Sequence, residues 1–306
     1  MKMKIKTKDL LTLGELDKKE IVELVERGIK LKKDLKNGIN RPFLKNKSLA
    51  MIFQKPSTRT RVSFETGIFQ LGGYALNLSV SDLQLSRGET IQDTARTLSR
   101  YVDAIMARVY DHETIEILAQ NSDVPVINGL SDTFHPCQTL ADIMTIKEKK
   151  KKFSNLKIAW IGDGNNVCNS MIYGCSKLQM NISIATPKGH EPDSRVVKQS
   201  KKFSNIELTN NPITASKDAD IIMTDTFVSI HHKNSKRLKK FFPRFQVNSS
   251  LMKNAKENAI FMHCLPAKRE QEVTSDVIDG SQSVVWDQAE NRLHVQKALL
   301  ISLIPL

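Results

Sequence analysis

At 306 residues the chain is too long for one ordinary core and suits two domains of roughly 150 residues each. With 40% hydrophobic and 26% charged residues it reads as a soluble globular protein, and no apolar run approaches the roughly 18 residues of a spanning helix, so no membrane role is expected. A net charge of +13 admits nucleic acid, an anionic membrane or an anionic substrate, but the lysines are scattered over Lys147 to Lys152, Lys233 to Lys240 and the N-terminus without interleaved aromatics, so a solvated surface and no nucleic-acid partner are expected.

The opening MKMKIKTKDLLTL has no apolar signal core, which places the chain in the cytoplasm as an expectation. Cys137, Cys168, Cys175 and Cys264 show no CxxC spacing, so free thiols are expected, with no metal and no cofactor. In Leu16 to Leu35, Leu16, Ile21, Leu24, Val25, Ile29 and Leu31 form a helical stripe between charges. Ser48 to Phe53 is an apolar run of strand length that Gln54-Lys55-Pro56 ends. From Arg61 the period becomes helical through Phe64, Ile68 and Leu71, and Gly72-Gly73 stops it.

At that joint stand Ser57, Thr58, Arg59, Thr60 and Arg61. Hydroxyls and guanidinium groups at a helix N-terminus suit a phosphate-like anion, while the plainer reading is a hydroxyl cap followed by exposed arginines. Tyr74 to Leu78 reads as a strand, Ser79 to Glu89 as a polar loop able to reach away from its own domain, and Thr90 to Asp93 as a helix start. The strand Asp103 to Val109 delivers Arg108 to a carboxyl end, where open α/β sheets hold ligands; a surface ion pair fits as well. After a helix His112 to Asn121 and a strand Val124 to Gly129, His135 and Gln138 sit at another such corner, with Pro136 in the first helical turn.

Lys147 to Lys152 marks the expected hinge. The second set begins with a strand Leu156 to Ile161, then Gly162-Asp163-Gly164-Asn165-Asn166 and a helix carrying Val167, Met171 and Leu178. Val167 occupies the third glycine position, so the dinucleotide fingerprint fails, and the asparagines suit an amino acid instead. Strands follow at Ile182 to Thr186, Ile206 to Thr209, Ala219 to Thr224, Ala259 to Cys264 and Ser283 to Trp286. Asp225 stands at one carboxyl end, and Cys264 and Leu265 at another. A helix Ala289 to Ile304 closes the chain, with Leu293, Leu299, Leu300, Leu303 and Ile304 expected to be buried.

Together, FQKPSTRTRVSFETG, DLQLSRGET, MARVYDHE, FHPCQTLAD, IGDGNN, TDTFVS, FMHCLPA and AENR resemble the ornithine carbamoyltransferases nearly end to end. The resemblance implies an α/β chain of two doubly wound domains, each a central parallel sheet flanked by helices. A carbamoyl-phosphate-binding domain would run from 1 to 150, with a C-terminal helix 289–306 packing back on it, and an ornithine-binding domain from 151 to 288. It also implies a homotrimer with shared active sites. By motif, Ser57, Thr58, Arg59, Thr60 and Arg108 would hold the phosphate, and Gln84 would reach in from the adjacent subunit. His135, Gln138 and Arg292 would hold the carbamoyl group. Asn166, Asp225, Ser229 and the backbone of Ile230 would hold ornithine, and Cys264 with the Leu265 carbonyl would face its side-chain amine.

Another acceptor, chiefly putrescine, is the alternative, although Asn166 and Asp225 suit an α-amino acid. A scaffold or nucleic-acid-binding role would need broken motifs, and these are intact. The chain departs from the family at Ser229-Ile230-His231, where Ser-Met-Gly is usual; altered closure over ornithine and a raised acceptor KM are expected.

Overall fold

The computed structural model describes residues 5–80, 83–228 and 235–305. The chain forms two compact units, one from the N-terminus to Met144 together with Glu290 onward, the other from Thr145 to Ala289.

In the first unit a short 3-10 turn, Leu13–Glu15, precedes α1 (Lys18–Lys36), which is capped by Asp17: its carboxylate accepts from Glu20 N while Glu20 returns to the Asp17 amide. Then come β1 (Ser48–Phe53), α2 (Thr58–Gln70), β2 (Tyr74–Ser79), a 3-10 turn Gln84–Arg87, α3 (Ile91–Leu98), β3 (Ala104–Arg108), α4 (His112–Asn121), β4 (Val126–Leu130) and α5 (Pro136–Lys150). The strands are parallel in the order β2-β1-β3-β4. β1 and β3 are buried along their whole length, as unbroken apolar runs with helical crossovers require. Ala50, Ile52, Ile105, Ala107, Ile115 and Val126 share one core, each large side chain contributing about 1.5–3 kcal/mol by leaving water.

The second unit is built from β5 (Lys157–Ile161), α6 (Asn166–Leu178), β6 (Asn181–Ala185), α7 (Ser194–Ser200), β7 (Ile206–Thr209), α8 (Pro212–Ser216), β8 (Ile221–Thr224), α9 (Ser235–Phe241), α10 (Ser249–Met252), β9 (Ile260–His263) and α11 (Ser275–Ile278). Its strands are parallel in the order β7-β6-β5-β8-β9. α12 (Val285–Leu303) then carries the chain back, and its residues from Glu290 belong to the first unit. There it lies close against α1 and α2: a Cβ added at Gly28 would come within 3.3 Å of the Val295 backbone, and one at Gly67 within 3.3 Å of the Lys297 stem. Both sheets reverse their winding once, between β1 and β3 and between β5 and β8. Open α/β sheets bind ligands beyond the carboxyl ends of the strands flanking such a reversal.

The doubly wound, parallel class and the returning C-terminal helix agree with the sequence reading, and four expectations need correction. The stretch Ser283 to Trp286 is no strand: Ser283 makes a single bridge to Phe261 and α12 begins at Val285. α2 starts three residues before Arg61, because Ser57 caps it. The expected hinge, Lys147 to Lys152, is helical through Lys150. α5 continues to Lys150, so its lysines form a last helical turn, where cations complement the helix dipole, and the division between units falls at Met144. Leu293 is only half-buried.

Candidate active site

In the first unit, three corners converge at the carboxyl ends of β1, β3 and β4. Register places Phe53, the last residue of β1, beside Arg108, the last of β3, and Gln54 N donates to the Arg108 carbonyl at 2.9 Å. Ser57 caps α2: its Oγ accepts from Thr60 N at 3.3 Å and lies 3.1 Å from Thr60 Oγ1. The first intrahelical bond is Arg61 N to the Ser57 carbonyl, so the amides of Thr58 and Arg59 precede it in the first turn and suit an anion. Thr58 and Arg59 are exposed, and Thr60 is buried beneath them.

Behind the cradle runs a buried polar chain that sequence spacing alone does not reveal. Arg292, from α12, donates through Nη2 to Thr60 Oγ1 at 3.2 Å and through Nη1 to Gln138 Oε1 at 2.6 Å; Gln138 in turn donates to Asp142 at 2.8 Å. Thus the expected phosphate and carbamoyl residues are tied by one guanidinium. His135 is buried beside them. Burial first, then the charges of Arg292 and Arg108, hold its imidazole well below the usual histidine range, so it is neutral at physiological pH and can present a hydrogen bond without repelling a cation. Lys55, which sequence reasoning passed over, is buried with its ammonium 4.1 Å from the centre of the Tyr110 ring, and burial followed by Arg108 draws it down to about 8. Gln84 is exposed, on the 3-10 turn after β2.

In the second unit the corners after β5, β8 and β9 converge. Asn165 caps α6, its Oδ1 accepting from Val167 N and Cys168 N, while its Nδ2 donates to Asp225 Oδ2 at 2.7 Å. Asp225 Oδ1 accepts from the Cys264 thiol at 3.2 Å and from its neighbour's amide, Thr226 N, at 2.7 Å. The structure therefore brings Asp225 and Cys264 together, and adds Asn165; Asn166 is the first residue of α6, half-buried. Asn165 is legible in the sequence as a helix cap but not as the partner of Asp225, since the pairing spans sixty residues. Asp163 meets Arg237 in an ion pair, with His190 Nδ1 3.5 Å from its other oxygen; burial chiefly raises its carboxyl to about 6. Ser229, Ile230 and His231 lie outside the described residues.

Cys264 is not set up as a nucleophile. The adjacent His263 is fully buried, its Nδ1 accepting from Leu265 N at 2.9 Å rather than serving the thiol as a base. The other thiols are buried in the cores, and burial pushes Cys137 up to about 12 and Cys168 and Cys175 well above their usual value.

The first unit's corner offers an anion seat beside a neutral donor; the second offers a carboxylate with amide and thiol neighbours, as a ligand carrying both an amine and a carboxylate needs. Residues 8–148 match the family model described as aspartate/ornithine carbamoyltransferase, carbamoyl-P binding domain, and residues 154–303 match that for its Asp/Orn binding domain. The chain belongs to the aspartate/ornithine carbamoyltransferase family. Within that family it is 59% identical to an ornithine carbamoyltransferase of Cenarchaeum symbiosum, over 98% of this chain and 99% of the relative. It is 53% identical to one of Pyrococcus abyssi over 99% and 98%. Among solved structures, the ornithine carbamoyltransferase of Pyrococcus furiosus superposes with a TM-score of 0.93 at 53% identity, covering 97% of this chain and 96% of that one. That of Thermus thermophilus does so with 0.90 at 39%, covering 98% and 99%. No helix among the described residues is long and apolar enough to cross a membrane.

Proposed function

We propose that the chain transfers the carbamoyl group of carbamoyl phosphate to the side-chain amine of L-ornithine, giving L-citrulline and phosphate, in the cytoplasm. The observation that carries this reading is the pair of intact corners, an arginine-tied anion cradle and the Asn165, Asp225 and Cys264 cluster, in a chain alike from end to end to proteins bearing the ornithine name. A Pyrococcus furiosus relative, 54% identical, is named anabolic, in keeping with citrulline formation as the working direction.

The residues divide the work as follows. Ser57, Thr58, Arg59, Thr60 and Arg108 hold the phosphate, and Gln138 with Arg292 orients the carbamoyl group. The neutral amine of ornithine forms a bond to the carbamoyl carbon, the carbon–oxygen bond to phosphate breaks, phosphate leaves with the electron pair, and the proton given up by the amine passes to the departing phosphate. Arg108, Thr60 and neutral His135 stabilise the charge that gathers on the carbamoyl oxygen and the leaving group, through dipoles fixed before the reaction begins. Asn166, Asp225, Ser229 and the Ile230 backbone hold the amino-acid end, and Cys264 with the Leu265 carbonyl faces the amine. No covalent intermediate is needed. Incubation with carbamoyl phosphate and ornithine is expected to release citrulline and phosphate in equal amounts; phosphate release without citrulline would overturn the reading.

The proposal extends to a homotrimer in which Gln84 serves the neighbouring subunit's site. In support, β2 is an edge strand that leaves Tyr74 and Leu76 53% and 41% exposed, and α2 leaves Phe69 76% exposed, an apolar display that suits burial against another copy. Gln84 follows this edge directly in the chain. Mixing an inactive Gln84→Ala protein with an inactive Arg108→Ala protein under subunit exchange should restore part of the activity, because a hybrid contains sites with both residues native. Proven exchange without recovery would remove the shared site.

A further inference from the structure

The corner that follows β9 is anchored from behind by two groups that the proposed reaction does not use. His263 and Glu272 are both fully buried. His263 Nδ1 accepts the Leu265 N–H, so the imidazole hydrogen sits on Nε2, which lies 3.4 Å from Glu272 Oε1. Glu272 Oε1 accepts from Lys268 N at 2.5 Å, which fixes the carboxylate. Leu265 is held at φ 57, a left-handed conformation that a branched side chain adopts only under strain. On the opposite side of the same three residues, the Cys264 thiol donates to Asp225.

Enclosing a carboxylate and an imidazole opposes folding where an apolar pair would pack favourably, so the fold's stability alone does not account for the pair. What the pair does is local. The imidazole accepts the Leu265 amide and so restrains that residue in its left-handed conformation, while the Glu272 carboxylate stands 3.4 Å from Nε2, the ring nitrogen that then carries the hydrogen. Pro266 follows with no N–H of its own, so this bond is the corner's backbone restraint from the His263 side.

We propose that His263 and Glu272 are positioning residues for the acceptor: through the Leu265 amide they set where the Leu265 carbonyl and the Cys264 thiol stand against the attacking amine. The proposal rests on the carbamoyl-transfer reading of the second unit. It makes a demand that a merely space-filling histidine would not, namely that an acceptor atom be present at the Nδ1 position and not elsewhere on the side chain.

Asparagine places its Oδ1 near the Nδ1 position, whereas glutamine extends its oxygen toward Nε2. In the full-length protein, His263→Asn is expected to keep kcat/KM for ornithine within about threefold of native, while His263→Gln and His263→Leu lower it by about thirtyfold or more, with KM for carbamoyl phosphate unchanged within about twofold in all three. Hydrogen exchange at the Leu265 amide should stay slow in native protein and in His263→Asn, and become fast in His263→Gln. Should the leucine variant fail to fold, the contrast between asparagine and glutamine decides. Equal activity of the two, or equal loss for both substrates, overturns the positioning role. If native protein makes no citrulline, the ornithine reading fails instead, and amide exchange still reads the His263 bond.

Discussion

Arg59→Ala is expected to lower kcat/KM for carbamoyl phosphate by about a thousandfold while leaving the thermal midpoint where it was. Arg59 is exposed in the first turn of α2 and makes no contribution to the core, so its truncation leaves the cap made by Ser57 and the packing of Phe64 and Ile68 untouched. On the proposed reading, what is lost is a charge-assisted donor beside the first-turn amides, where a phosphate would gain negative charge as its bond to the carbamoyl carbon breaks. Steady-state kinetics over a range of carbamoyl phosphate, with a melting curve as control, measure both halves. A loss below about tenfold would take Arg59 out of the phosphate site.

Arg292→Leu should act on activity and stability together. The side chain is 4% exposed, and two of its donors reach Thr60 and Gln138. Leucine leaves both oxygens facing an apolar neighbour, and the stability cost is expected to be about 2–4 kcal/mol, with kcat/KM reduced by about a hundredfold or more. A third signature is electrostatic. Arg292 is the leading charge holding the His135 imidazole down, after burial, so its removal moves His135 back toward the usual histidine value. The sign follows from proton linkage. A histidine whose folded value lies below its unfolded value of 6.5 costs stability as pH falls through 6.5, because the unfolded chain takes up the proton first. Bringing the folded value closer to 6.5 shrinks that cost, so the variant's stability should depend less on acid pH than the native protein's. Denaturant midpoints across the acid range test this.

Most of the sheet framework is legible in the residues themselves. The runs Ser48–Phe53 and Ile206–Thr209 and the helix His112–Asn121 emerge at the expected bounds, because each is set off from its neighbours by polar or turn-forming residues. The short helices α7 to α11 are not legible in this way, since four to seven residues are too few to display a period and their capping residues also read as turns. Val284-Val285-Trp286 misleads in the opposite direction: β-branched and aromatic residues suggest a strand, but neighbouring backbone bonds to Phe261 use up the pairing, and tertiary packing turns the rest into the first turn of α12.

For the candidate site the division is similar. Residues that share a corner, such as Ser57 to Thr60, are visible together because the joint between strand and helix is local. Pairs that close across the chain are not: Asn165 with Asp225, Arg237 with Asp163, His263 with Glu272. Such pairs depend on which strands become neighbours, and strand order does not follow chain order in either sheet. The Gln138–Arg292 bond is the extreme case, formed only because α12 returns to the first unit.

The choice of acceptor carries the whole functional reading, and it is most directly measured by initial rates with carbamoyl phosphate and each of L-ornithine, putrescine, L-lysine and L-aspartate. In the proposed roles, Asn166 and Asp225 have an α-amino acid end to hold in ornithine and none in putrescine. The expected result is a kcat/KM for ornithine at least about a hundredfold above that for any other amine. A chain that carbamoylates putrescine as well as, or better than, ornithine would contradict the account.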